Sequence, residues 1–290
     1  MELGDPRTGP DDDLGLFGPG SVTWKVHREP ILILAGLRSL YLQALHPRAV
    51  AAVAQNSNFR SDPWGRLVRT AQYVATTVYG TTTEAEAAGH RLTALHARMR
   101  ARDPRTGEQF RIDAPDLLRW VHVAEVESFV STARRAGLRL SDAETDAYYA
   151  EQRRAAALVG LDPATVPGTA QAVADYYRGI RPELRMTREA AETAFFLTAP
   201  PIPWKMSRPA HLGLSLGPAR FAYFGVAGVA FGLLPSWARR LYGGLGLPTT
   251  DRSAEISART LRLALRAVPR RYLEGPIYQA AQARAARLGA

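Results

Sequence analysis

The sequence has no cysteine among its 290 residues. Disulfide bonds, cysteine-ligated zinc sites, iron–sulfur clusters, thiolate-ligated haem and a cysteine nucleophile are therefore excluded. Histidine remains as the residue type that could ligate a metal through nitrogen. The chain has six histidines, and three of them (His46, His90 and His96) lie between residues 45 and 100.

Lysine is almost absent as well, since Lys25 and Lys205 are the only two in the chain. Arginine therefore carries nearly all of the basic charge behind the formal net charge of +10. Nucleic-acid binding is expected to gather such charge into a patch or stripe, but the arginines here are spread over nearly every segment. We expect no nucleic-acid partner.

Long apolar runs are also missing. No stretch reaches the ~18 uninterrupted apolar residues that span a bilayer. The acidic residues 1–13 have neither the basic start nor the apolar core of a signal peptide, so we expect a cytoplasmic protein. Residues 221–234 are apolar and end at Pro235. They predict a buried helical hairpin, with peripheral contact to a membrane surface as the alternative.

Alternation of apolar and polar residues, which would predict half-buried strands, does not occur in any convincing run. The apolar residues instead recur at helical spacing, which predicts an all-α fold with one domain over residues 21–290 behind a flexible lead-in over 1–20. Residues 31–55 are predicted to form one long, centrally buried helix, kinked at Pro47 because proline removes a backbone donor.

Capping residues predict where other helices begin. Asp62 followed by Pro63 predicts the start of a helix that ends near Tyr79. A capping box of Thr83 and Glu86 is predicted to begin the next helix, which runs to about residue 101. Further helices are predicted over residues 115–135 with Asp113 as cap, 142–159 with a capping box of Ser141 and Glu144, 169–178, 187–197, 253–267 and 276–288, with a rigid proline-rich connector over 199–203.

The chain lacks the spacings of the common catalytic metal motifs. The His-Glu-x-x-His pattern of zinc proteases is absent, and no histidine has glutamate three residues before it, as a di-iron bundle would require. His122 has Glu125 three residues after it, which is the reversed order and a weak indication of metal binding. A nucleotide-binding glycine motif lacks the strand that it needs.

His96 has two interpretations. It lies on a predicted helix beside apolar Leu92 and Leu95, where a hydrogen-bonded core histidine is the commoner case. The alternative is an axial ligand, because neutral imidazole on a helix is a usual proximal ligand of haem iron.

The preceding predicted helix presents Arg66 and Thr70 on one face, four residues apart. Arginine in the first turn of a helix is disfavoured by the helix dipole, so Arg66 favours an anionic partner such as a haem propionate. A solvent-facing Arg66 is the simpler alternative. Arg69 lies one step around the helix and could approach the same site, although a solvated face suits it equally.

Four segments of the chain form a combination typical of one family. They are Leu42-Gln43-Ala44-Leu45-His46-Pro47, Phe59-Arg60-Ser61-Asp62-Pro63-Trp64-Gly65-Arg66-Leu67-Val68-Arg69-Thr70, Thr106-Gly107 and Leu117-Leu118-Arg119-Trp120-Val121-His122. With them the chain resembles the bacterial branch of the MpaB-type oxygenase family, which includes the catalytic domain of the rubber oxygenase called latex clearing protein. The resemblance extends over roughly residues 16–240. It implies an all-helical fold with a globin-like core, a b-type haem held by one proximal histidine, and cleavage of carbon–carbon double bonds with dioxygen.

The resemblance also implies roles for individual residues. The Arg-x-x-x-Thr pair of the family falls on Arg66 and Thr70, which would bind the cofactor, and the proximal haem ligand falls on His96. His122 would be a neighbour of the cofactor or a competing ligand. The rubber oxygenases have lysine where this chain has Arg69, and their distal glutamate has no counterpart near His46.

The sequence therefore predicts a haem b-dependent oxygenase that acts with dioxygen on an apolar small molecule, with Arg69 or His46 polarising the dioxygen. Nothing indicates export, so a secreted polymer is not the expected substrate. Two alternatives stay open. One is a non-catalytic haem-binding or haem-sensing protein with His46 as the sixth iron ligand, and the other is a helical protein bound peripherally to a membrane.

Overall fold

Helices account for most of the chain in the computed structural model, which describes residues 13–58, 60–200 and 217–290. The described residues form thirteen α-helices and one two-stranded hairpin, so the predicted all-α fold is confirmed. The helices are α1 (Val22–His27), α2 (Leu32–Ala44), α3 (Pro47–Asn56), α4 (Pro63–Tyr79), α5 (Thr82–Arg98), α6 (Pro115–Arg135), α7 (Asp142–Leu158), α8 (Ala170–Ile180), α9 (Arg188–Thr198), α10 (Gly217–Gly232), α11 (Ser236–Leu241), α12 (Pro248–Ala267) and α13 (Pro276–Leu288).

The predicted single helix over residues 31–55 is wrong, because the chain ends α2 at Ala44 and begins α3 at Pro47. His46 between them is extended, with φ −86° and ψ 117°. The residue before a proline is disfavoured in the α conformation, and proline fits the first position of a helix, where its missing N–H leaves no bond unmade. Pro47 therefore begins a new helix instead of kinking an old one.

The predicted start of α4 is confirmed: Asp62 Oδ1 accepts a hydrogen bond from the Gly65 amide at 2.9 Å, and Pro63 is the first helical residue. The capping box of α5 lies two residues earlier than predicted. Thr81 and Glu84 form it, whereas Thr83 lies inside the helix. Two overlapping Thr-x-x-Glu patterns occur here, and α4 ends early enough for the first to be used.

A short antiparallel hairpin between α5 and α6 was not predicted. Its strands, β1 (Arg100–Arg102) and β2 (Gln109–Arg111), are three residues each, too short to show alternation in the sequence. The predicted turn between them is present: the Gly107 amide donates to the Asp103 carbonyl at 2.8 Å, with Gly107 at φ +72°.

Asp113 does not cap α6 as predicted. Its carboxylate pairs with the Arg111 guanidinium, and Ala114 takes the N-cap position without a side-chain hydrogen bond. Pro115 still favours the start of α6 at this point, because its fixed φ suits the first helical position. The capping box of Ser141 and Glu144 on α7 is confirmed.

The centre of the molecule is the pair α2 and α6, which pack against each other along their lengths. α2 is buried on most sides, as its apolar composition predicts, and α9 and α10 cover its remaining faces. The one charged residue of α2, Arg38, is buried too. Its guanidinium donates to the Leu233 carbonyl at 2.8 Å and pairs with Glu127 at 2.6 Å.

From residue 221 onwards, the side chains of α10 pass from mostly exposed to mostly buried. Phe221 is 77 % exposed, whereas Ala227 and Ala230 have no exposed surface. A Cβ at Gly232 would lie 2.9 Å from the Ala254 Cβ, so glycine allows close contact with α12. Burial of the predicted hairpin is therefore confined to its second half. Within the described residues no helix has the length and apolarity to cross a membrane. Residues 201–203 of the predicted connector lie outside the described residues.

The arrangement of α4, α5 and α6 positions the candidate site. α5 packs against α4 and α7, and α6 packs against α2 and α7. α4 and α6 lie close enough for the charge of Glu125 on α6 to act on Tyr73 of α4. The region between these two helices carries most of the candidate residues.

Candidate functional site

α4 carries Arg66, Thr70 and Tyr73 on one helix face, because they are spaced four and three residues apart. Arg66 is half-buried, and its Nη1 donates a short hydrogen bond to the Ser57 hydroxyl. Burial lowers the pKa of the Arg66 guanidinium, and the positive charge of Arg69 lowers it further. Arg66 thus carries a poorly solvated charge whose partner among the described residues is neutral.

Thr70 and Arg69 are both exposed. The Thr70 hydroxyl donates to the Arg66 carbonyl at 3.0 Å, inside its own helix. The Arg69 guanidinium pairs with Asp62 Oδ2 at 3.1 Å. Arg69 is therefore held at the start of α4 by the residue that caps it.

His96 lies in the last turn of α5 and is half-buried. Burial lowers the pKa of its imidazole, an effect that the nearby Asp113 partly opposes, so the ring is neutral at neutral pH. The ring makes no hydrogen bond to a described residue. A hydrogen-bonded core histidine, the commoner interpretation of such a residue, is not what the structure has here.

α6 carries His122 and Glu125, which are three residues apart and share one helix face. Burial lowers the pKa of His122 to about 4, and its Nε2 atom is buried without a hydrogen-bond partner in the described structure. Burial raises the pKa of Glu125 to about 7, and no described residue pairs with this carboxyl.

Tyr73 on α4 and Glu125 on α6 lie close enough for the charge of one to affect the other. Burial raises the pKa of Tyr73 to about 12, and the negative charge of Glu125 adds to the shift. Tyr73 is therefore the residue of this α4 face that lies near Glu125, whereas Thr70 on the same face is exposed. The sequence singled out Glu125 only through its spacing from His122, and nothing in the pattern indicated Tyr73.

His46 lies elsewhere, at the junction of α2 and α3. Its Nδ1 accepts a hydrogen bond from the Ala49 amide at 3.4 Å, which leaves the proton of the neutral ring on Nε2. Nε2 lies 3.8 Å from Glu183 Oε2 and faces a cleft of about 560 Å³. This cleft is also lined by Arg48, Asp103 and Asp116.

Five of the six candidate residues lie on α4, α5 and α6, and the sixth, His46, lies between α2 and α3. Arg66, Arg69 and Thr70 lie on α4, His96 lies on α5, which packs against α4, and His122 lies on α6. None of these residues lines the cleft that holds His46.

The donor groups have a clear chemical character. In the described residues no group of three or more His, Asp or Glu side chains is arranged to hold a metal ion. What the site offers instead is single neutral imidazoles and one half-buried guanidinium.

The sequence also contains Gly213-Leu214-Ser215-Leu216-Gly217, which has the spacing of a hydrolase nucleophile motif. That motif requires the serine on a sharp turn between a strand and a helix. Gly217 begins α10, and the residues before it lie outside the described residues, so the motif carries no assignment here.

Comparison with known proteins adds the family. Neither the curated proteins nor the solved structures contain a significant match to the chain. A family model described as ER-bound oxygenase mpaB/B'/Rubber oxygenase, catalytic domain, matches residues 24–269 and so includes every candidate residue discussed above. The chain therefore belongs to the mpaB/rubber oxygenase catalytic-domain family.

Proposed function

We propose that the protein is a haem b-dependent oxygenase that uses dioxygen to oxidise an apolar small molecule, with His96 as the proximal iron ligand. The family, one of oxygenases, supports the reaction class. The observation that carries the cofactor is His96 itself. It is a neutral imidazole without a hydrogen-bond partner among the described residues, on α5, which packs against the helix that carries Arg66.

The donor chemistry fits haem. Haem iron needs one protein ligand and not a cluster, and neutral imidazole is its commonest one. A haem also carries two propionates, for which a partly desolvated guanidinium is a suitable partner. Arg66 supplies that group, since one of its nitrogens bonds Ser57 and the others remain to donate. The buried Nε2 of His122, which has no hydrogen-bond partner in the described structure, also favours a ligand beside α6.

Each residue then has a task. His96 would bind the iron and Arg66 would neutralise a propionate. The Thr70 hydroxyl donates to the backbone carbonyl of Arg66 and so supports the helical turn that carries it. When bound, haem supplies the activation of dioxygen. Arg69 borders this site and can reach it by leaving Asp62, which makes it the better candidate for polarising dioxygen. His46 faces a separate cleft, so a role there requires a rearrangement of the α2–α3 junction.

Absorption spectroscopy of the purified protein after haem supplementation tests the proposal. We expect a Soret band in the wild type and its loss in His96→Ala. His90→Ala is the matched control, because His90 lies on the same helix and is exposed. His122→Ala should also retain haem. A wild type without a Soret band, or retention of haem by His96→Ala together with loss in His122→Ala, would overturn the assignment.

We also propose that the exposed part of α10 around Phe221 touches a membrane surface. Phe221 is 77 % exposed, and Phe195 on α9, a helix that packs against α10, is 68 % exposed. Exposed apolar side chains that form a patch mark sites of contact with membranes or partners. The net charge of +10 favours an anionic surface.

A further inference from the structure

We infer that the cleft beside His46 binds a small organic cation that carries a hydroxyl group, of which an amino alcohol is the simplest example. The cleft, of about 560 Å³, lies where α3, α6 and α9 begin, next to the turn of the β1–β2 hairpin. None of the residues proposed to hold haem lines it. The cleft is therefore a site additional to the proposed oxygenase site.

The walls of the cleft are held together by contacts between distant parts of the chain. The Arg185 amide donates to the Leu45 carbonyl at 2.9 Å, which joins the segment before α9 to the α2–α3 junction. Arg48 joins α3 to the hairpin, since its Nε donates to Asp103 Oδ2 at 3.1 Å and its guanidinium carbon lies 5.3 Å from the centre of the Phe110 ring. The cleft is therefore preformed, and its volume lies in the range of about 300–1,000 Å³ that is usual for small-molecule sites.

His46 directs a hydrogen-bond donor into this cleft. Its side chain is only 6 % exposed, and burial lowers the pKa of the ring, which is therefore neutral at neutral pH. The Ala49 amide donates to Nδ1, so the proton of the ring lies on Nε2. Nε2 makes no hydrogen bond with a described residue, because Glu183 Oε2 at 3.8 Å is beyond hydrogen-bond distance. Buried donors are nearly always hydrogen-bonded, so a ligand that displaces solvent here must bring an acceptor oxygen.

The cleft has an excess of negative charge although the whole chain is strongly basic. Five carboxylates and three guanidinium groups line it, in a chain of formal net charge +10. Arg48 is already paired with Asp103 at 3.1 Å and with Glu108 at 3.4 Å. The carboxylates of Asp116 and Glu189 make no hydrogen bond or ion pair with a described residue. A positively charged group of a ligand is therefore favoured in this cleft.

A simpler account of Asp116 and Glu189 is that each stabilises the helix in which it lies. Asp116 is in the first turn of α6 and Glu189 in the first turn of α9, where the helix dipole favours negative charge. That account explains each carboxylate alone, but not why both line the cleft that holds the buried donor of His46. Asp142 is a first-turn carboxylate of α7 that does not line the cleft, so it provides the matched control.

The donor and the charge together restrict the class of ligand. A metal ion would need a free lone pair on His46 Nε2, but that atom carries the proton, and the described residues contain no group of three metal-binding side chains. A carboxylate ligand would meet the excess of negative charge. A plain amine has no acceptor for His46, and a plain alcohol has no charge for the carboxylates. A hydroxyl can accept from Nε2 and donate to Glu183, while an ammonium group of the same molecule approaches Asp116 or Glu189.

Binding of four matched probes to the purified full-length protein, at one salt concentration, tests the inference. 3-Aminopropan-1-ol, propan-1-amine, propane-1,3-diol and 3-hydroxypropanoate have the same chain length and differ in charge and in the hydroxyl group. By NMR titration we expect 3-aminopropan-1-ol to bind about tenfold more tightly than propan-1-amine, the gain expected for one hydrogen bond in a buried site. Equal affinities for the four probes, or tightest binding of 3-hydroxypropanoate, would overturn the inference.

His46→Ser tests the donor while keeping an N-cap for α3, because serine caps helices well and its side chain is too short to replace Nε2. In this variant the preference for 3-aminopropan-1-ol over propan-1-amine should disappear, whereas the affinity for propan-1-amine should stay the same. A merely structural role of His46 would weaken both probes equally. An unchanged preference, or equal weakening of both probes, would contradict a hydrogen bond from His46 to the ligand.

Glu189→Gln tests the charge without touching the buried histidine. We expect it to weaken 3-aminopropan-1-ol about threefold, as for a partly exposed ion pair, and to leave propane-1,3-diol unchanged. Asp142→Asn, whose carboxylate is 99 % exposed, should change neither. Equal losses in Glu189→Gln and Asp142→Asn would show that the cation is attracted by the surface in general, and would overturn the site. These titrations need no haem, so their result stands whether or not the protein shows a Soret band.

Discussion

Folding raises the pKa of the Glu125 carboxyl, because burial disfavours its charged form. Its pKa rises from 4.5 to about 7 on burial, so between these values the folded chain holds a proton that the unfolded chain has released. The stability contributed by this proton is fully present below pH 4.5 and is lost as pH rises through about 7. His122 acts in the opposite direction, because its lowered pKa of about 4 costs stability as pH falls below 6.5.

Glu125→Gln isolates the first effect. We expect the free energy of unfolding of the wild type, relative to Glu125→Gln, to decrease steadily from pH 4.5 to pH 7. Urea unfolding at a series of pH values measures this difference. Parallel pH dependences of the two proteins would contradict a raised pKa at Glu125.

At the scale of single residues, the sequence indicated the right neighbourhood but not the right partners. Arg66, Thr70 and His96 could be singled out because spacing on a helix follows from residue number alone. The Ser57 partner of Arg66 and the Asp62 partner of Arg69 come from the loop before α4, whose course the spacing does not specify. Tyr73 could not be found, because facing Glu125 depends on how α4 and α6 are placed.

Among the structural elements, α3 offers a test of what His46 does. The ring caps α3 by accepting from the Ala49 amide, a role usually taken by Ser, Thr, Asp or Asn. We expect His46→Ala to lower the free energy of unfolding by about 1 kcal/mol, and His46→Asn to restore most of that loss, because asparagine is a good N-cap. Urea unfolding of the three proteins measures this.

The same pair of variants separates capping from catalysis. If His46 polarises dioxygen, activity of His46→Asn should stay low although its stability is restored. If activity returns with stability, His46 contributes only through the start of α3. A stability of His46→Ala equal to the wild type would show that the Ala49 hydrogen bond is not a working cap.

The elements that sequence predicted best are those with a single strong cap, such as α4 with Asp62 and Pro63. Predictions failed where two local signals compete. Thr81 and Thr83 both begin capping-box patterns, and only the end of α4 at Tyr79 decides between them. The hairpin of β1 and β2 was missed because three-residue strands are fixed by their pairing and not by their composition.

At the scale of the whole molecule, the net charge of +10 and the exposed aromatic residues of α9 and α10 can be tested together. We expect the protein to bind anionic vesicles and to bind neutral ones less, with high salt weakening the contact. Phe221→Ser should reduce vesicle flotation, whereas Tyr272→Ser, equally exposed at 70 % but outside α9 and α10, should not. Flotation unchanged in Phe221→Ser would contradict a role for α10.

The whole fold could be predicted as all-α because helical periodicity and caps recur along the chain, but the placement of α4 relative to α6 could not. That placement depends on how α5 and α7 pack with the two helices, which periodicity does not specify. Arg38 illustrates the same limit. Its burial beside Leu233 and Glu127 joins residues far apart in the chain, and its position in an apolar helix does not reveal either partner.

Asp62 performs its two tasks with two different oxygens. Oδ1 accepts from the Gly65 amide and Oδ2 accepts from Arg69. Arg69 can therefore leave without uncapping α4, at the cost of an exposed ion pair worth about 0–1 kcal/mol. Exchange of Arg69 between solvent and site is then a matter of side-chain rotation, on the picosecond-to-nanosecond scale, and not of helix opening. The helix that positions Arg66 stays rigid while its neighbour three residues later moves.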